Sequence, residues 1–282
     1  MSTFKFCLQV LRPKQWLKNL LLLAAPIASA RLYDYFFIVL IGVVTFVGAS
    51  SLGYLVNDWI DRDFDKLSEK KRARPFASGK LGKNHYKILL LITFLITASG
   101  AIFLGQKFSI AIFVYLILTL FYSLKIKLMP IIEMVWLASG FLVRAVAGSI
   151  LVETKPTGWF NITVFFGALF VVSTKRMSEK KYNKGTITRK VLEYYDEEVL
   201  SSIVNVSAAS TILTFCLWVI QEHPESYFAQ LSILPFVSTI LLYKFKSSSS
   251  LGETPEDIFI SNKDIILVAL ISCVLLGIVF YQ

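Results

Sequence analysis

Long apolar stretches alternate with short polar segments along this chain of 282 residues. A helix needs about 20 mostly apolar residues to cross the hydrocarbon core of a bilayer. Nine stretches reach or approach that length, and the first and sixth are the shortest. They lie near 17–30, 34–56, 86–104, 108–124, 130–152, 159–174, 200–220, 229–243 and 264–281. The pattern therefore predicts an all-α fold, a polytopic membrane bundle of about nine transmembrane helices.

The polar segments leave no room for a separate soluble domain. The two longest, 57–85 and 175–199, each have fewer than 30 residues. The apolar run after the basic N-terminal segment is followed by another predicted span, which argues against a cleaved signal peptide. We therefore predict a single transmembrane domain over residues 1–282.

The composition agrees with a membrane protein. Hydrophobic residues make up 55% of the chain and charged residues 17%, against about 45–50% and about 25% in an average soluble domain. These values exclude a disordered chain and disfavour a soluble enzyme. Three scattered cysteines show no spacing that is typical of a disulfide scaffold.

The net charge of +10 is unevenly placed along the predicted topology. Of the 29 Lys and Arg residues, 25 fall on one side of the nine spans, and the opposite loops carry Arg31, Lys107 and Lys155. The positive-inside rule then predicts a multi-pass protein of the cell (inner) membrane with a cytoplasmic N-terminus. This asymmetry explains the charge without nucleic acid as a partner. Topology signalling alone would also explain the basic loops.

Closely spaced acids end the second predicted span. Asp58, Asp61 and Asp65 lie three and four residues apart, so they share one helix face, with Asn57 beside them, whereas Asp63 points elsewhere. Stacked carboxylates repel one another, and the negative end of the helix dipole disfavours them further. A Mg²⁺ ion resolves both problems, because it takes one or two carboxylates together with substrate phosphates. We predict that the three aspartates are catalytic metal ligands; a solvated acidic helix end is the alternative.

A basic run follows within a dozen residues. Lys71, Arg72 and Arg74 precede a turn that Pro75 and Gly79 mark. Carboxylates that hold a metal, close to Arg and Lys that bind phosphate oxygens, are typical of a metal–phosphate site. We therefore predict that these three bases bind substrate.

These residues resemble a known family. The motif Asn57-Asp58-x-x-Asp61-x-x-x-Asp65 and the basic run after it are similar to the first signature of the UbiA superfamily of intramembrane prenyltransferases. Further motifs resemble one branch, the decaprenyl-phosphate phosphoribosyltransferases or 5-phosphoribose synthases. They are Arg12-Pro13-Lys14-Gln15-Trp16-x-Lys18-Asn19, Tyr122-Ser123-Leu124-Lys125 and Ser139-Gly140-Phe141-x-x-Arg144-x-x-x-Gly148. The resemblance runs from about Arg12 to Leu200, and the last spans match only in hydropathy.

The resemblance implies a bundle with a central cavity open to the cytoplasm and a Mg²⁺-dependent transfer from a diphosphate donor. In this branch the donor is 5-phosphoribosyl 1-diphosphate, the acceptor is a polyprenyl (decaprenyl-like) phosphate, and diphosphate is released. The expected partners are these two substrates and the membrane. The resemblance also implies substrate contacts for Asn57, Tyr122 and Lys125, and a second phosphate-binding pair, Lys175 and Arg176.

Two positions depart from the family pattern. Ser68-Glu69 stands where the family has His-Pro, which leaves the geometry of the basic loop open. Glu133, followed by Leu137, stands where aromatic-prenylating members have two aspartates four residues apart. The missing second aspartate disfavours an aromatic acceptor and favours the phosphoribosyl branch.

Two ionisable residues share the fifth predicted span. Glu133 and Arg144 are eleven residues apart, about three turns, so they lie on one face. Ionisable groups inside a span are costly and usually face a cavity. We predict that Glu133 is catalytic, holding a second metal or the ribose hydroxyls, and that Arg144 binds phosphate. A structural pair between Arg144 and a carboxylate of another helix is the alternative.

Two lysines near the N-terminus lie where a lipid headgroup would be. Lys14 and Lys18 are four residues apart and are expected on one helix face, where they could receive the phosphate of the acceptor lipid. Their positive charge could equally serve only to orient the chain in the membrane. Both explanations remain open at this point.

Two other functions use similar residues. A prenyltransferase that moves a polyprenyl group from its diphosphate to an aromatic or other small acceptor shares the first motif. A transporter of a divalent metal or an acidic solute would also place charges within the membrane. A cation carrier, however, has no reason to hold Arg and Lys against its carboxylates. The sequence therefore favours phosphoribosyl transfer.

Overall fold

The structure is a computed structural model that describes residues 3–67, 71–182, 190–247, 258 and 261–280. The regular structure in these ranges is helical, and no strand occurs in them. The predicted all-α fold is therefore confirmed. Ser68-Glu69, where the sequence departs from the family pattern, lies outside the described residues.

The helices are numbered here in chain order. The described α-helices are α1 (Thr3–Leu11), α2 (Pro13–Trp16), α3 (Ala24–Ala28), α4 (Phe36–Ile60), α5 (Arg62–Lys66), α6 (Lys83–Phe103), α7 (Gln106–Leu124), α8 (Ile132–Leu151), α9 (Gly158–Tyr182), α10 (Glu197–Glu222), α11 (Tyr227–Leu231), α12 (Ile233–Ser247) and α13 (Lys263–Phe280). Short 3-10 helices lie at Leu17–Leu23, Ile126–Leu128 and Lys190–Tyr194.

Seven stretches of the described residues are long and apolar enough to cross a membrane. They are α4, α6, α7, α8, most of α9, α10, and α11 together with α12. These stretches coincide with the second to eighth predicted spans. The ninth prediction, 264–281, falls on the 18-residue helix α13. The chain is thus a multi-pass membrane protein, but the expected number of nine spans is not confirmed.

The first predicted span, 17–30, is not a membrane-length helix. Its apolar residues form the 3-10 helix Leu17–Leu23 followed by the five-residue helix α3. The physical reason is length, because the apolar run is well short of the roughly 20 residues that an α-helix needs to cross the hydrocarbon core. The segment instead packs on α4 and α8.

Close packing of α4 and α6 brings the C-terminal end of α4 into a fixed position. A Cβ atom added at Gly100 of α6 would lie 2.0 Å from Thr45 Oγ1 of α4, so only glycine allows this approach. Small residues are typical of such contacts between helices in membranes. The opposite face of α6 is exposed at Leu91, Phe94 and Leu95, as a surface in contact with lipid requires.

An apolar core joins α4, α7 and α8. Phe46 packs against Phe108 and Tyr115, with ring centroids 5.8 and 5.4 Å apart. Leu22 and Ala147 belong to the same cluster and are fully buried. This core holds α4, α7 and α8 together within the bundle.

Candidate active site

Two aspartates of the first motif converge on one arginine. Asp58, in the last turn of α4, and Asp65, in α5, are both buried. Arg74 Nη1 donates to Asp58 Oδ1 at 3.1 Å and to Asp65 Oδ2 at 2.8 Å. Arg12 Nη2 also donates to Asp58 Oδ1, at 2.6 Å. Asp58 and Asp65 of the acidic motif and Arg74 of the basic motif therefore lie together, with Arg12 beside them.

The loop that carries Arg74 is itself well packed. Ser78 N donates to Arg74 O at 2.8 Å, and Leu81 N donates to Pro75 O at 3.0 Å. The ring of Phe76 packs edge-on against Trp59, with centroids 5.6 Å apart. These contacts hold Arg74 in place over the end of α4.

The other two predicted bases of this loop do not share the position of Arg74. Arg72 is exposed and Lys71 is half-buried. The hydrogen bonds to Asp58 and Asp65 that are given above come from Arg12 and Arg74. Their predicted contacts with substrate remain predictions.

The third aspartate has a separate basic partner. Lys127 Nζ, from the 3-10 helix Ile126–Leu128, donates to both carboxylate oxygens of Asp61, at 2.8 and 2.9 Å. Lys125, the lysine predicted from the sequence, is exposed. Asn57 is half-buried, and its backbone oxygen accepts from Asp61 N at 2.9 Å.

Asp63 lies outside the cluster, as its helix position predicts. It is exposed, and it pairs with Lys66 at 2.8 Å on the surface of α5. The hydrogen bond from Lys66 lowers the pKa of the Asp63 carboxyl below its usual value. Asp63 therefore offers a matched control for the three motif aspartates.

The fit to Mg²⁺ rests on two carboxylates rather than three. Among the described residues, no group of three or more His, Cys, Asp and Glu side chains is arranged to hold a metal. Asp58 and Asp65 nevertheless approach the same Arg74 nitrogen, so their oxygens face a common point. Mg²⁺ takes hard oxygen ligands, and one or two protein carboxylates are enough when phosphates complete its shell. The donor set therefore fits this ion, whereas Asp61 pairs separately.

A second charged cluster lies between the start of α8 and the C-terminal part of α9. Arg176 Nε and Nη2 donate to the two oxygens of Glu133 at 2.6 and 2.8 Å, a bidentate pair. Arg176 Nη1 donates to Glu179 at 2.9 Å, and the Tyr122 hydroxyl lies 3.4 Å from both Glu133 and Arg176. Lys175, the neighbour of Arg176, is half-buried.

Tyr195, in the segment before α10, lies beside this second cluster. Its hydroxyl oxygen accepts a hydrogen bond from the backbone N–H of Ile131, next to the start of α8. Burial raises the pKa of the Tyr195 hydroxyl. The contact connects residues that are 64 positions apart in sequence, which explains why no local pattern indicated it.

Arg144 is buried deeper, in the middle of α8. Its Nε donates to Asn19 Oδ1 at 2.9 Å, Nη1 to Gly140 O at 2.9 Å and Nη2 to the Tyr115 hydroxyl at 2.8 Å. The guanidinium also stacks on the Tyr115 ring, 4.5 Å from its centroid. These partners are neutral, so among the described residues the alternative of a pair with a carboxylate finds no support.

The two N-terminal lysines do not share one continuous helix face. Lys14 lies in α2 and Lys18 in the 3-10 helix that follows it. The change from about 3.6 to 3.0 residues per turn alters the angle between them. Lys14 is exposed and Lys18 half-buried. Their proposed contact with the acceptor phosphate remains a prediction.

The comparison with family models decides the family. The model of the UbiA prenyltransferase family matches residues 20–250, well over half of the chain. The chain belongs to the UbiA prenyltransferase family. It is therefore a membrane-embedded transferase, as the motif at Asp58 indicated.

Curated relatives extend over nearly the whole of this UbiA protein. The decaprenyl-phosphate phosphoribosyltransferase of Mycobacterium tuberculosis is 32% identical, covering 93% of the chain and 90% of the relative. The protein of the same name from Corynebacterium glutamicum is also 32% identical, covering 96% and 86%. A solved structure of a UbiA homolog from Archaeoglobus fulgidus bound to GPP and Mg²⁺ has a TM-score of 0.71 at 18% identity, covering 98% of this chain and 99% of that one.

Sequence reasoning missed two bases of this UbiA site. Arg12 belongs to the N-terminal motif, but no role follows from that motif for it, and it contacts Asp58 from 46 residues away. Its backbone adopts a left-handed conformation, with φ 54°, which is uncommon for a non-glycine residue and is a recognised feature of functional sites. Lys127 lies two residues beyond Lys125, and no spacing rule distinguishes the two. The sequence signal for both was their basic character alone.

Proposed function

We propose that this UbiA protein transfers phosphoribose from 5-phosphoribosyl 1-diphosphate to a polyprenyl phosphate, decaprenyl-like in length, and releases diphosphate. Two curated relatives with the name of this activity match nearly the full chain. The observation that carries the proposal is the convergence of Arg12 and Arg74 on Asp58 and Asp65. A diphosphate needs several cations, and a bound Mg²⁺ needs carboxylates; this cluster offers both.

Asp58 and Asp65 are the residues that would hold Mg²⁺, with Asp61 in support. The ion, when bound, neutralises the charge that develops on the leaving diphosphate. The Mg²⁺ bound in the Archaeoglobus homolog supports this use of a divalent cation. Because Asp58 and Asp65 are buried by the surrounding helices, their oxygens are held in place before substrate arrives.

The bases of the cluster would bind the remaining diphosphate oxygens. Arg12, Arg74 and Lys127 already point to the aspartates, so a diphosphate at that point lies within reach of all three. Planar guanidinium groups bind two phosphate oxygens at once and hold their orientation. Lys71 and Arg72 supply further positive charge from the same loop.

The chemical step is a substitution at the anomeric carbon of the ribose. The bond between this carbon and the diphosphate oxygen breaks, and the electron pair leaves with the diphosphate. An oxygen of the acceptor phosphate forms the new bond, with inversion as the expected outcome. This oxygen is already anionic at neutral pH, so the step needs no strong general base. Positioning and charge stabilisation are then the main tasks of the protein.

The second cluster would border the same reaction volume. Lys127 lies in the short connection from α7 to α8 and Glu133 in the first turn of α8, so the two clusters would be neighbours. Tyr122 and Lys175 would meet the ribose or its 5-phosphate, beside the buried pair of Glu133 and Arg176. The positive-inside asymmetry supports a cytoplasmic opening for this site, where a soluble, charged donor is available.

A transfer assay tests the proposal. Purified protein receives labelled 5-phosphoribosyl 1-diphosphate, Mg²⁺ and polyprenyl phosphate, and labelled lipid is extracted and measured. We expect labelled lipid with the wild type, none when the metal is chelated, and a loss of at least about 100-fold in Asp58→Asn. Asp63→Asn, in the same motif but outside the cluster, should retain activity.

The assay also distinguishes the rival transferase. A second arm supplies a labelled polyprenyl diphosphate with an aromatic acid in place of the two proposed substrates. Product in this arm alone would replace phosphoribosyl transfer by prenyl transfer. Absence of labelled lipid from the wild type in the first arm, or full activity in Asp58→Asn, would reject the proposal.

A further inference from the structure

The segment before α3 is wedged between two membrane helices. We call residues 11–23 the N-terminal strap; its 3-10 helix packs on α4 and α8, and Leu22 is fully buried. A Cβ atom added at Gly148 of α8 would lie 2.0 Å from the backbone oxygen of Leu22. The strap backbone therefore lies directly against α8, where a larger residue than glycine would displace it.

A buried amide connects the strap to both neighbouring helices. Asn19 is fully buried, its Nδ2 donates to Ser50 Oγ of α4 at 3.1 Å, and its Oδ1 accepts from Arg144 Nε of α8 at 2.9 Å. A buried amide is costly unless both ends are hydrogen-bonded. This requirement fixes the position of the strap between the two helices.

Arg144 is fixed by its contacts and connects the strap to α7 and α8. Three of its nitrogen atoms donate to Asn19, Gly140 and Tyr115, and the rings of Tyr115 and Phe141 stack on it. Its exposed fraction is only 5%. A planar guanidinium suits acceptors in several fixed directions, which an ammonium group cannot match.

The N-terminal end of the strap is also anchored by hydrogen bonds. Trp16 Nε1 donates to Leu11 O at 2.9 Å and to Ser51 Oγ of α4 at 3.2 Å. Between these anchored residues, Arg12 adopts its left-handed conformation. A conformation of this kind persists only where its surroundings enforce it. The anchored strap thus presents Arg12 to Asp58.

We propose that Asn19 and Arg144 are positioning residues, which hold the N-terminal strap so that Arg12 reaches the donor diphosphate beside Asp58. The inference rests on the proposed function in one respect, namely that Arg12 binds this diphosphate. It assigns Arg144 a role that differs from the direct phosphate contact expected from the sequence. The two roles differ in how mutations combine.

A double-mutant cycle on the transfer reaction tests the inference. Asn19→Ala and Arg144→Lys should each raise KM for 5-phosphoribosyl 1-diphosphate by about 5- to 10-fold, with kcat within about twofold. In an Arg12→Ala background, neither should raise KM further, because the contact through which they act is already absent. A direct phosphate contact by Arg144 predicts a different outcome: the KM effect of Arg144→Lys persists in the Arg12→Ala background and multiplies with that of Arg12→Ala.

Two further variants separate positioning from general damage. Ser50→Ala removes a single bond of Asn19 and should raise KM in the same direction, but less. Ser207→Ala changes a buried hydroxyl in α10, remote from the strap, and should leave KM unchanged. If Asn19→Ala folds poorly, Ser50→Ala and Arg144→Lys still complete the cycle.

Hydrogen exchange supplies a readout that does not depend on activity. Asn19→Ala should accelerate amide exchange in residues 11–23, while α10 keeps its wild-type protection. Unchanged exchange in the strap, or KM effects that multiply with Arg12→Ala, would overturn the inference. If the wild type transfers no phosphoribose, the proposed function fails, whereas the exchange experiment still decides whether Asn19 holds the strap.

Discussion

The two charged clusters of this UbiA protein differ in their access to water. The aspartate cluster is taken here as Asp58, Asp61 and Asp65 with their basic partners. The side chains of these partners, Arg12, Arg74 and Lys127, are 28%, 29% and 24% exposed. In the second cluster, Arg176 is 2% exposed and Glu133 fully buried. Both clusters pair acids with bases from distant segments. A ligand can therefore replace the ion pairs of the aspartate cluster more easily than the pair of Glu133 and Arg176.

Partly exposed ion pairs contribute little to stability, so a ligand can replace them at low cost. A buried bidentate pair has lost its hydration, and removing one partner leaves an uncompensated charge. We therefore expect substrate to bind mainly at the aspartate cluster, and Glu133 and Arg176 to contribute mainly to stability. Variants in the two clusters should consequently change different measured quantities.

The largest expected effect is on stability in the second cluster. Glu133→Ala leaves Arg176 with Glu179 as its remaining carboxylate partner and should lower the free energy of unfolding by about 3 kcal/mol. Unfolding followed in detergent measures the change. Replacing both partners, in Glu133→Leu with Arg176→Met, should recover much of the stability. A single variant as stable as the wild type would remove the distinction between the clusters.

The next effect concerns activity in the aspartate cluster. Arg74→Ala removes the base shared by Asp58 and Asp65 and should lower kcat/KM by about 100-fold. Stability should fall by less than in Glu133→Ala, because the Arg74 side chain is 29% exposed and water can reach the two carboxylates that it leaves. Steady-state kinetics and unfolding of the same preparation test both statements. Arg72→Ala, from the same loop but exposed, should lower kcat/KM much less than Arg74→Ala does.

A smaller effect should separate two neighbouring lysines. Lys127→Ala releases Asp61 and should lower kcat/KM by about 10-fold, since one of several phosphate-binding charges is lost. Lys125→Ala, two residues earlier and exposed, should stay within about twofold of the wild type. Equal losses in both variants would mean that the turn contributes its charge rather than a specific contact.

The smallest effect is expected at the surface of α5. Asp63→Asn removes the pair with Lys66 and should leave kcat/KM and Mg²⁺ dependence unchanged. A Mg²⁺ titration of the transfer rate measures this. A loss comparable to that of Asp58→Asn would show that the acidic segment acts through its total negative charge and not through an ordered cluster.

Local regularity explains what could be predicted from the sequence. The spacing of Asp58, Asp61 and Asp65 follows from the helix period, and span lengths follow from bilayer thickness. The spacing separated Asp63 from the others correctly. It did not indicate that Asp61 pairs apart from Asp58 and Asp65, because α4 ends at Ile60 and α5 begins at Arg62.

Contacts over long sequence distances explain the rest. Arg12 meets Asp58 only because the strap folds back between α4 and α8, and residues 17–23 of the strap fell within the first predicted span. The neutral partners of Arg144 come from a segment 125 residues away and from α7. Charge and hydropathy along the chain carry no information on such pairings, which depend on how the helices pack.

The most direct measurement is a structure with 5-phosphoribosyl 1-diphosphate and Mn²⁺ in place of Mg²⁺, with the metal located by its anomalous scattering. The account predicts one metal peak between Asp58 and Asp65, with Arg12 and Arg74 moved from the carboxylates onto diphosphate oxygens. Glu133 and Arg176 should remain paired. A metal at Glu133 and Glu179, or a diphosphate remote from Arg74, would contradict it.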